Sequence, residues 1–189
     1  AENSNTSRHL AEFWMIEPEM AFMDLEGMLV LTEEFLKTIL KECLDNCGDD
    51  LEFLEKMYEK NLIDKLELIV KSKFETINYT EAIDILKKSN KKFKYPIDWG
   101  LDLQSEHERY LSEDYVGKPI NLINFPKDLK AFYMKQNKDD KTVAAMDVLF
   151  PRLGEIIGGS QREEIEEKII EQMIKKDIPL SKYQWYVDL

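Results

Sequence analysis

The sequence predicts one α/β (α+β) domain with a sheet flanked by helices, and three observations carry that expectation. Strand-like and helix-like patterns alternate along 189 residues with no repeat, low-complexity linker or composition break. Residues 24–95 are largely helical in pattern, whereas the carboxyl-terminal half turns to short apolar runs of strand character. With 43% hydrophobic residues, a chain of this length can bury one sizeable core.

The elements follow in order. Between residues 9 and 19, His9, Ala11, Phe13, Met15, Glu17 and Glu19 would share one strand face, with Leu10, Glu12, Trp14 and Ile16 on the other. Polar groups on both faces predict a strand that lines a site. Asp24 is placed to cap a long amphipathic helix whose stripe runs through Leu25, Met28, Leu29, Phe35, Leu36, Ile39, Leu40, Cys43 and Leu44, with Gly48 placed to end it. Further helices are expected over 50–58, 64–71, 80–88 (capped by Thr80) and 104–111.

Strands are expected at 132–134, 142–150 and 154–159, the last ending in a turn at Gly158 and Gly159. The stretch "SQREEIEEKIIEQMIKK" then reads as a helix with Ser160 as cap, Glu163 completing a capping box, and Ile165, Ile169, Met173 and Ile174 as apolar stripe. Strand, glycine turn and helix start together present backbone N–H groups to an anion, an arrangement that by itself names no ligand. Arg162 at a helix start would oppose the helix dipole, which suggests that it has a task.

Composition removes several function classes. A net charge of −12 excludes a surface that binds nucleic acid over its whole extent, so any RNA contact must be local. The cluster Lys87, Lys88, Lys91, Lys92 and Lys94 reads as a solvated helix end. Cys43 and Cys47, far in sequence from His9 and His107, read as core thiols and not as a zinc site or disulfide. Asn5 and Asn78 each begin a glycosylation-type triplet, a pattern short enough to arise by chance. No membrane-length apolar run or signal peptide is visible, so the expected address is the cytoplasm, with no membrane partner.

A site that handles a nucleoside triphosphate and a carboxylate needs cations for phosphates, an aromatic face for the base, acidic ligands for magnesium and a fork for the second substrate. Arg8 with His9, Phe13, Asp147 with Glu155, and Arg162 supply that set in order along the chain. No activated Ser or Cys accompanies them, which suits catalysis by positioning and charge neutralisation.

"RHLAEFWMIEPE", preceded by "AENSNTS", resembles the second signature motif of the class II aminoacyl-tRNA synthetases in its asparaginyl form. "WGLDLQSEHERYL", "KAFYMK" and "AAMDVLFPRLGEIIGGSQREE" are similar to the same family's catalytic domain in the same order, so the resemblance spans nearly the whole chain. It implies a mostly antiparallel sheet flanked by helices, with the segment 24–95 as a largely helical insertion. By this resemblance Glu2 reads the bound adenylate, at the adenine amino group or at the asparagine side. Arg8 and His9 hold the β- and γ-phosphates, and Phe13 stacks on adenine. Asp147 and Glu155 coordinate magnesium. Ser160, Gln161 and Arg162 line the amino-acid pocket, with Arg162 reaching the side-chain carbonyl.

The implied chemistry is ATP-dependent, magnesium-assisted activation of asparagine to asparaginyl-adenylate, then transfer to tRNA(Asn), with Arg8, His9 and Arg162 as catalytic residues. The resemblance also implies that residues 1–189 are part of a catalytic domain, from the second motif to just before the third. The anticodon-binding barrel, the dimer-forming first motif and an Arg ahead of Glu2 would lie outside them. Little activity is expected of these residues alone, and the full-length protein is expected to be a homodimer. Three alternatives stay open at this stage: an aspartyl-specific enzyme, a paralogue that adenylates an amino acid without tRNA, and a non-catalytic interaction module of the same fold.

Overall fold

In the computed structural model, which describes residues 12–189, Asp24 caps the first helix as its position demands, Oδ1 accepting from the Gly27 N–H at 2.8 Å. Helix α1 (Leu25–Asn46) is followed by α2 (Gly48–Met57) and α3 (Leu62–Lys71). Gly48 does not end α1. Cys47 closes it through its N–H to the Cys43 carbonyl, and Gly48 opens α2, whose first turn carries Asp49 and Asp50 where the helix dipole favours them.

Strand β1 (Glu75–Asn78) runs directly into α4 (Tyr79–Lys88). Thr80 is therefore inside the helix and caps nothing. Its hydroxyl accepts from the Trp99 indole at 3.0 Å, while Tyr79 goes to the core. Helix α5 (Ser105–Arg109) continues as a π-helical segment (Tyr110–Tyr115), then come β2 (Ile120–Pro126), β3 (Thr142–Phe150), β4 (Gly154–Ser160), α6 (Glu166–Lys175) and α7 (Leu180–Val187).

The strands form one sheet in the order β1-β2-β3-β4. β1 pairs with β2 in parallel, and the other two pairings are antiparallel, so the sheet is mixed and mostly antiparallel. Helices cover both faces. Met146, Val148 and Phe150 of β3 pack on the apolar stripe of α1 (Leu25, Met28, Leu29, Leu36, Leu40) and on Ile69 of α3. Val143, Ala145 and Leu149 point the other way, into a core built with Tyr79, Ala82, Ile83 and Leu86 of α4 and Leu111 of the π-helical segment. Asp147 takes its place in that second alternation. Among the described residues no helix is long and apolar enough to cross a membrane.

Three expected elements take a different form. Residues 12–20 pair with no strand of the sheet, and without a neighbouring ladder a strand-like pattern makes no strand. Residues 132–134 contribute only an isolated bridge, Met134 to Arg162. The helix expected from Ser160 begins instead at Glu166. The peptide groups ahead of it are engaged in sheet-like bonds: Gln161 N–H to Ala144, Lys135 N–H to Gln161, and Glu163 N–H to Tyr133, at 2.8–2.9 Å.

The glycine pair is not a turn either. β4 runs through Gly158 and Gly159 to Ser160, and both glycines serve close approach. A Cβ on Gly159 would come within 3.0 Å of the Met28 Cε of α1. Of the two cysteines, Cys47 is exposed and Cys43 half-buried, both free, so neither is a core thiol. Their helix turns its apolar stripe elsewhere. In the lysine cluster, Lys87 pairs with Asp98 and Lys91 with Asp114, in keeping with a solvated surface.

Candidate functional site

Glu2, Arg8 and His9 lie outside the described residues. Of the other expected site residues, Asp147, Glu155 and Ser160 lie on one face of the sheet, Gln161 and Arg162 follow the end of β4, and Phe13 lies outside the sheet. Asp147 of β3 pairs across to Gly158 of β4, Leu149 pairs to Glu155, and Ala145 pairs to Ser160. Cross-strand partners share a face, so Glu155, Asp147, Gly158 and Ser160 form one row.

The first group is acidic. A Cβ built on Gly158 would meet Glu155 Oε1 at 2.9 Å and Asp147 Oδ1 at 3.6 Å, so the two carboxylates converge on space that only a glycine leaves empty. A cavity of about 200 Å³ opens there, floored by Leu122, Phe125 and Leu149 and rimmed by Asp102, Glu108, Lys130, Asp147 and Glu155. Burial pushes the Asp147 carboxyl above its ordinary range, against the pull of Lys130. Burial and then the neighbouring Asp147 charge push Glu155 up as well.

Two carboxylate oxygens over a glycine suit a hard divalent cation of magnesium's kind, which takes one or two protein carboxylates and completes its shell with phosphate and water. Among the described residues no group of three or more His, Cys, Asp or Glu forms a complete protein cage.

The second group sits two residues further along β4. Ser160 is buried, and its Oγ accepts from Arg162 Nη1 at 2.7 Å. Arg162 Nη2 donates to Glu19, and the guanidinium lies 4.6 Å over the Tyr133 ring. Three partners thus fix the plane of the fork. Gln161 is half-buried, its backbone tied to Ala144 and Lys135. Phe13 is exposed, at 48%, in the extended segment that leads to Glu19.

Sequence reasoning did not single out Glu19, Tyr133, Lys130 or Asp102 as site residues. Glu19 had a usable signal, a carboxylate in phase with Phe13 on a segment already suspected of lining a site. Lys130 and Tyr133 lie in the quoted stretch "KAFYMK", but nothing in that stretch names their partners, since Asp147 is brought to Lys130 only by the fold.

Burial and the like charge of Asp147 make the contribution of Glu155 to stability pH-dependent. Its folded-state pKa is raised, so the ionised form at neutral pH costs stability, and the cost is relieved as pH falls through that raised value. Glu155→Gln is expected to stabilise the protein at pH 7, by less than about 1 kcal/mol because the side chain reaches solvent. The gain should shrink to nothing as pH is lowered towards the unfolded carboxyl value of about 4.3. Urea midpoints of both proteins across that pH range check it; a gain that is constant with pH contradicts the charge explanation.

The sheet thus carries an acidic pair on the same face as Ser160, which holds the Arg162 fork. Residues 1–189 match the family model for class II tRNA synthetases (D, K and N) over their whole length, and the chain belongs to that family. It is 58% identical to an asparagine–tRNA ligase of Protochlamydia amoebophila over 190 aligned residues, and 54% identical to that of Geotalea uraniireducens over 188. In each case all of this chain is covered. The chain spans about 40% of the length of these curated relatives. Among solved structures it is similar to asparaginyl-tRNA synthetase from Pyrococcus horikoshii complexed with asparaginyl-adenylate, with TM-score 0.84 and 36% identity. That likeness covers 100% of this chain and 41% of the other.

Proposed function

We propose that these residues form part of the catalytic domain of an asparagine–tRNA ligase, in which asparagine is activated by ATP and then passed to tRNA(Asn). The observation that carries this reading is the single row on the sheet. The acidic cradle of Asp147 and Glu155 shares one face with Ser160, whose hydroxyl holds the Arg162 fork, an order that suits a phosphate and an amino-acid side chain joined in one adenylate. The similarity to asparagine–tRNA ligases supports the choice of substrate.

The Glu19–Arg162 pair supplies the chemistry of an amide. A side-chain carbonyl can accept from the guanidinium, while an amide N–H₂ can donate to the Glu19 carboxylate. An aspartate side chain offers a second negative charge to Glu19 and no donor, so the pair favours asparagine over aspartate. Ser160 holds the fork in plane, and Gln161 fixes the strand that bears it.

In the reaction, the asparagine carboxylate attacks the α-phosphorus of ATP and pyrophosphate leaves; a hydroxyl of the terminal ribose of the tRNA then attacks the adenylate's carbonyl carbon, forming the ester and releasing AMP. Magnesium would be held by Asp147 and Glu155 and would neutralise phosphate charge. Arg8 and His9 are assigned to the β- and γ-phosphates, Phe13 to the adenine face and Glu2 to the bound adenylate, all by family resemblance. A homodimeric, cytoplasmic full-length protein is part of the same proposal and rests on the same resemblance.

The test is ATP–pyrophosphate exchange by a full-length ligase that carries these 189 residues. Exchange should require both asparagine and a divalent cation. Exchange driven equally by aspartate, or by neither amino acid, would overturn the assignment.

A further inference from the structure

We propose that Lys130 is a resident counter-cation of the acidic cradle, a positioning residue that holds Asp147 in the absence of a divalent ion and opposes the ion's entry. The proposal rests on the reading of Asp147 and Glu155 as a magnesium site. Lys130 Nζ lies 2.8 and 3.1 Å from the two carboxylate oxygens of Asp147. It also sits 3.8 Å from the centre of the Phe125 ring, so an aromatic face and a carboxylate grip the same ammonium. The side chains of Lys130 and Asp147 are only 20% and 14% exposed, which separates this pair from the mobile ion pairs of the surface.

Position makes the pair more than a structural bridge. The oxygen of Asp147 that faces the Gly158 cradle, Oδ1, is one of the two that Lys130 engages. A divalent ion and the ammonium therefore draw on the same oxygen, and their like charges oppose each other across it. Lys130 is the cation among the residues that rim the cavity, with Asp102, Glu108, Asp147 and Glu155 around it. Its charge keeps Asp147 from standing in a partly buried cavity facing only other carboxylates. Metal binding and the Lys130–Asp147 pair are thus linked and antagonistic, and the arrangement keeps the cradle in shape while holding its affinity for a free ion low.

The experiment uses Mn²⁺ as the probe, with free ion measured by electron paramagnetic resonance, on a full-length ligase that carries these residues. The variants are Lys130→Met, Lys130→Gln and Asp147→Asn. Both Lys130 variants should bind Mn²⁺ roughly tenfold more tightly than the parent, as removal of a like charge beside a ligand oxygen predicts. Asp147→Asn should lose that binding. In EDTA, Lys130→Met should melt at a lower temperature than the parent, and saturating Mn²⁺ should raise its midpoint by more.

Unchanged or weaker Mn²⁺ binding by the Lys130 variants, with Asp147→Asn still defective, would overturn the proposal and leave the metal cradle standing. If Asp147→Asn binds Mn²⁺ like the parent, the cradle reading itself fails and the proposal falls with it. Lys130→Gln, which keeps a donor towards Asp147 without the charge, carries the comparison should Lys130→Met not fold.

Discussion

Arg162→Lys is expected to raise the asparagine requirement of a full-length ligase carrying these residues by about tenfold or more, equivalent to about 1.4 kcal/mol. The ATP requirement should stay within about threefold. The reason lies in three contacts that only a planar fork can make together: Ser160 Oγ on one nitrogen, Glu19 on the other, and the Tyr133 ring beneath. A lysine ammonium keeps the charge but is a point donor on a flexible stem, so it can satisfy one of these partners at a time. Pyrophosphate exchange titrated with each substrate in turn reads the effect. If Arg162 merely anchors the segment that bears Glu19, both requirements will be unchanged and only thermal stability will move, by roughly ±0.5 kcal/mol.

Tyr79→Ala is expected to have the largest effect on the fold, destabilising it by about 3–5 kcal/mol. Tyr79 stands at the junction of β1 and α4 with no exposed surface. Its ring packs 5.6 Å from Phe125 and edge-on to Trp99 at 6.3 Å. Its hydroxyl donates to the Leu101 carbonyl at 2.5 Å and accepts from the Gly100 N–H at 3.2 Å, tying the 98–103 loop to the sheet. Alanine would leave a cavity against Phe125, which floors the acidic site, and would orphan both backbone groups. Tyr79→Phe separates the two contributions and should cost only about 1–2 kcal/mol. Urea unfolding followed by far-ultraviolet circular dichroism measures both. A loss below about 1 kcal/mol for Tyr79→Ala would mean that the junction repacks.

Most helical elements were legible in the sequence because they carry their own signals, whereas α7 (Leu180–Val187), with no side-chain cap, was not predicted. Asp24 announced α1, and the stripe from Leu25 to Leu40 named the face that packs on β3. β3 was legible too, since a nine-residue stretch that is apolar but for Thr142 and Asp147 and largely buried on both faces has few other uses. β1 was not. Glu75–Asn78 is four residues long with one buried side chain, and its pairing with β2 is supplied by residues more than forty positions away. Local preference cannot report a partner of that kind.

The site shows the same division. The family resemblance implies a joint role for Asp147 and Glu155, and the sheet register brings the two together. The resemblance implies a pocket role for Ser160 and Arg162, while the local pattern predicts a helix start there that the structure does not form. Ser-x-x-Glu before an apolar stripe is a capping signature, and here it lost to tertiary pairing with residues 133–135 and 144. Gly158 and Gly159 were taken for a turn because paired glycines usually mark one. Their actual service, room for carboxylates on one side and for Met28 on the other, exists only once α1 and β3 are folded against β4.

The central claim is that the Glu19–Arg162 pair reads the side-chain amide of asparagine. The most direct measurement is the ratio of kcat/KM for asparagine over aspartate in pyrophosphate exchange, compared between the parent ligase and Glu19→Gln. Glutamine keeps the size of the side chain and an acceptor oxygen but removes the charge that opposes an aspartate carboxylate. The ratio is therefore expected to fall by about tenfold or more, mainly through improved use of aspartate. A ratio unchanged by Glu19→Gln, with asparagine activation intact, would contradict the account and leave the selection of the amide to other residues.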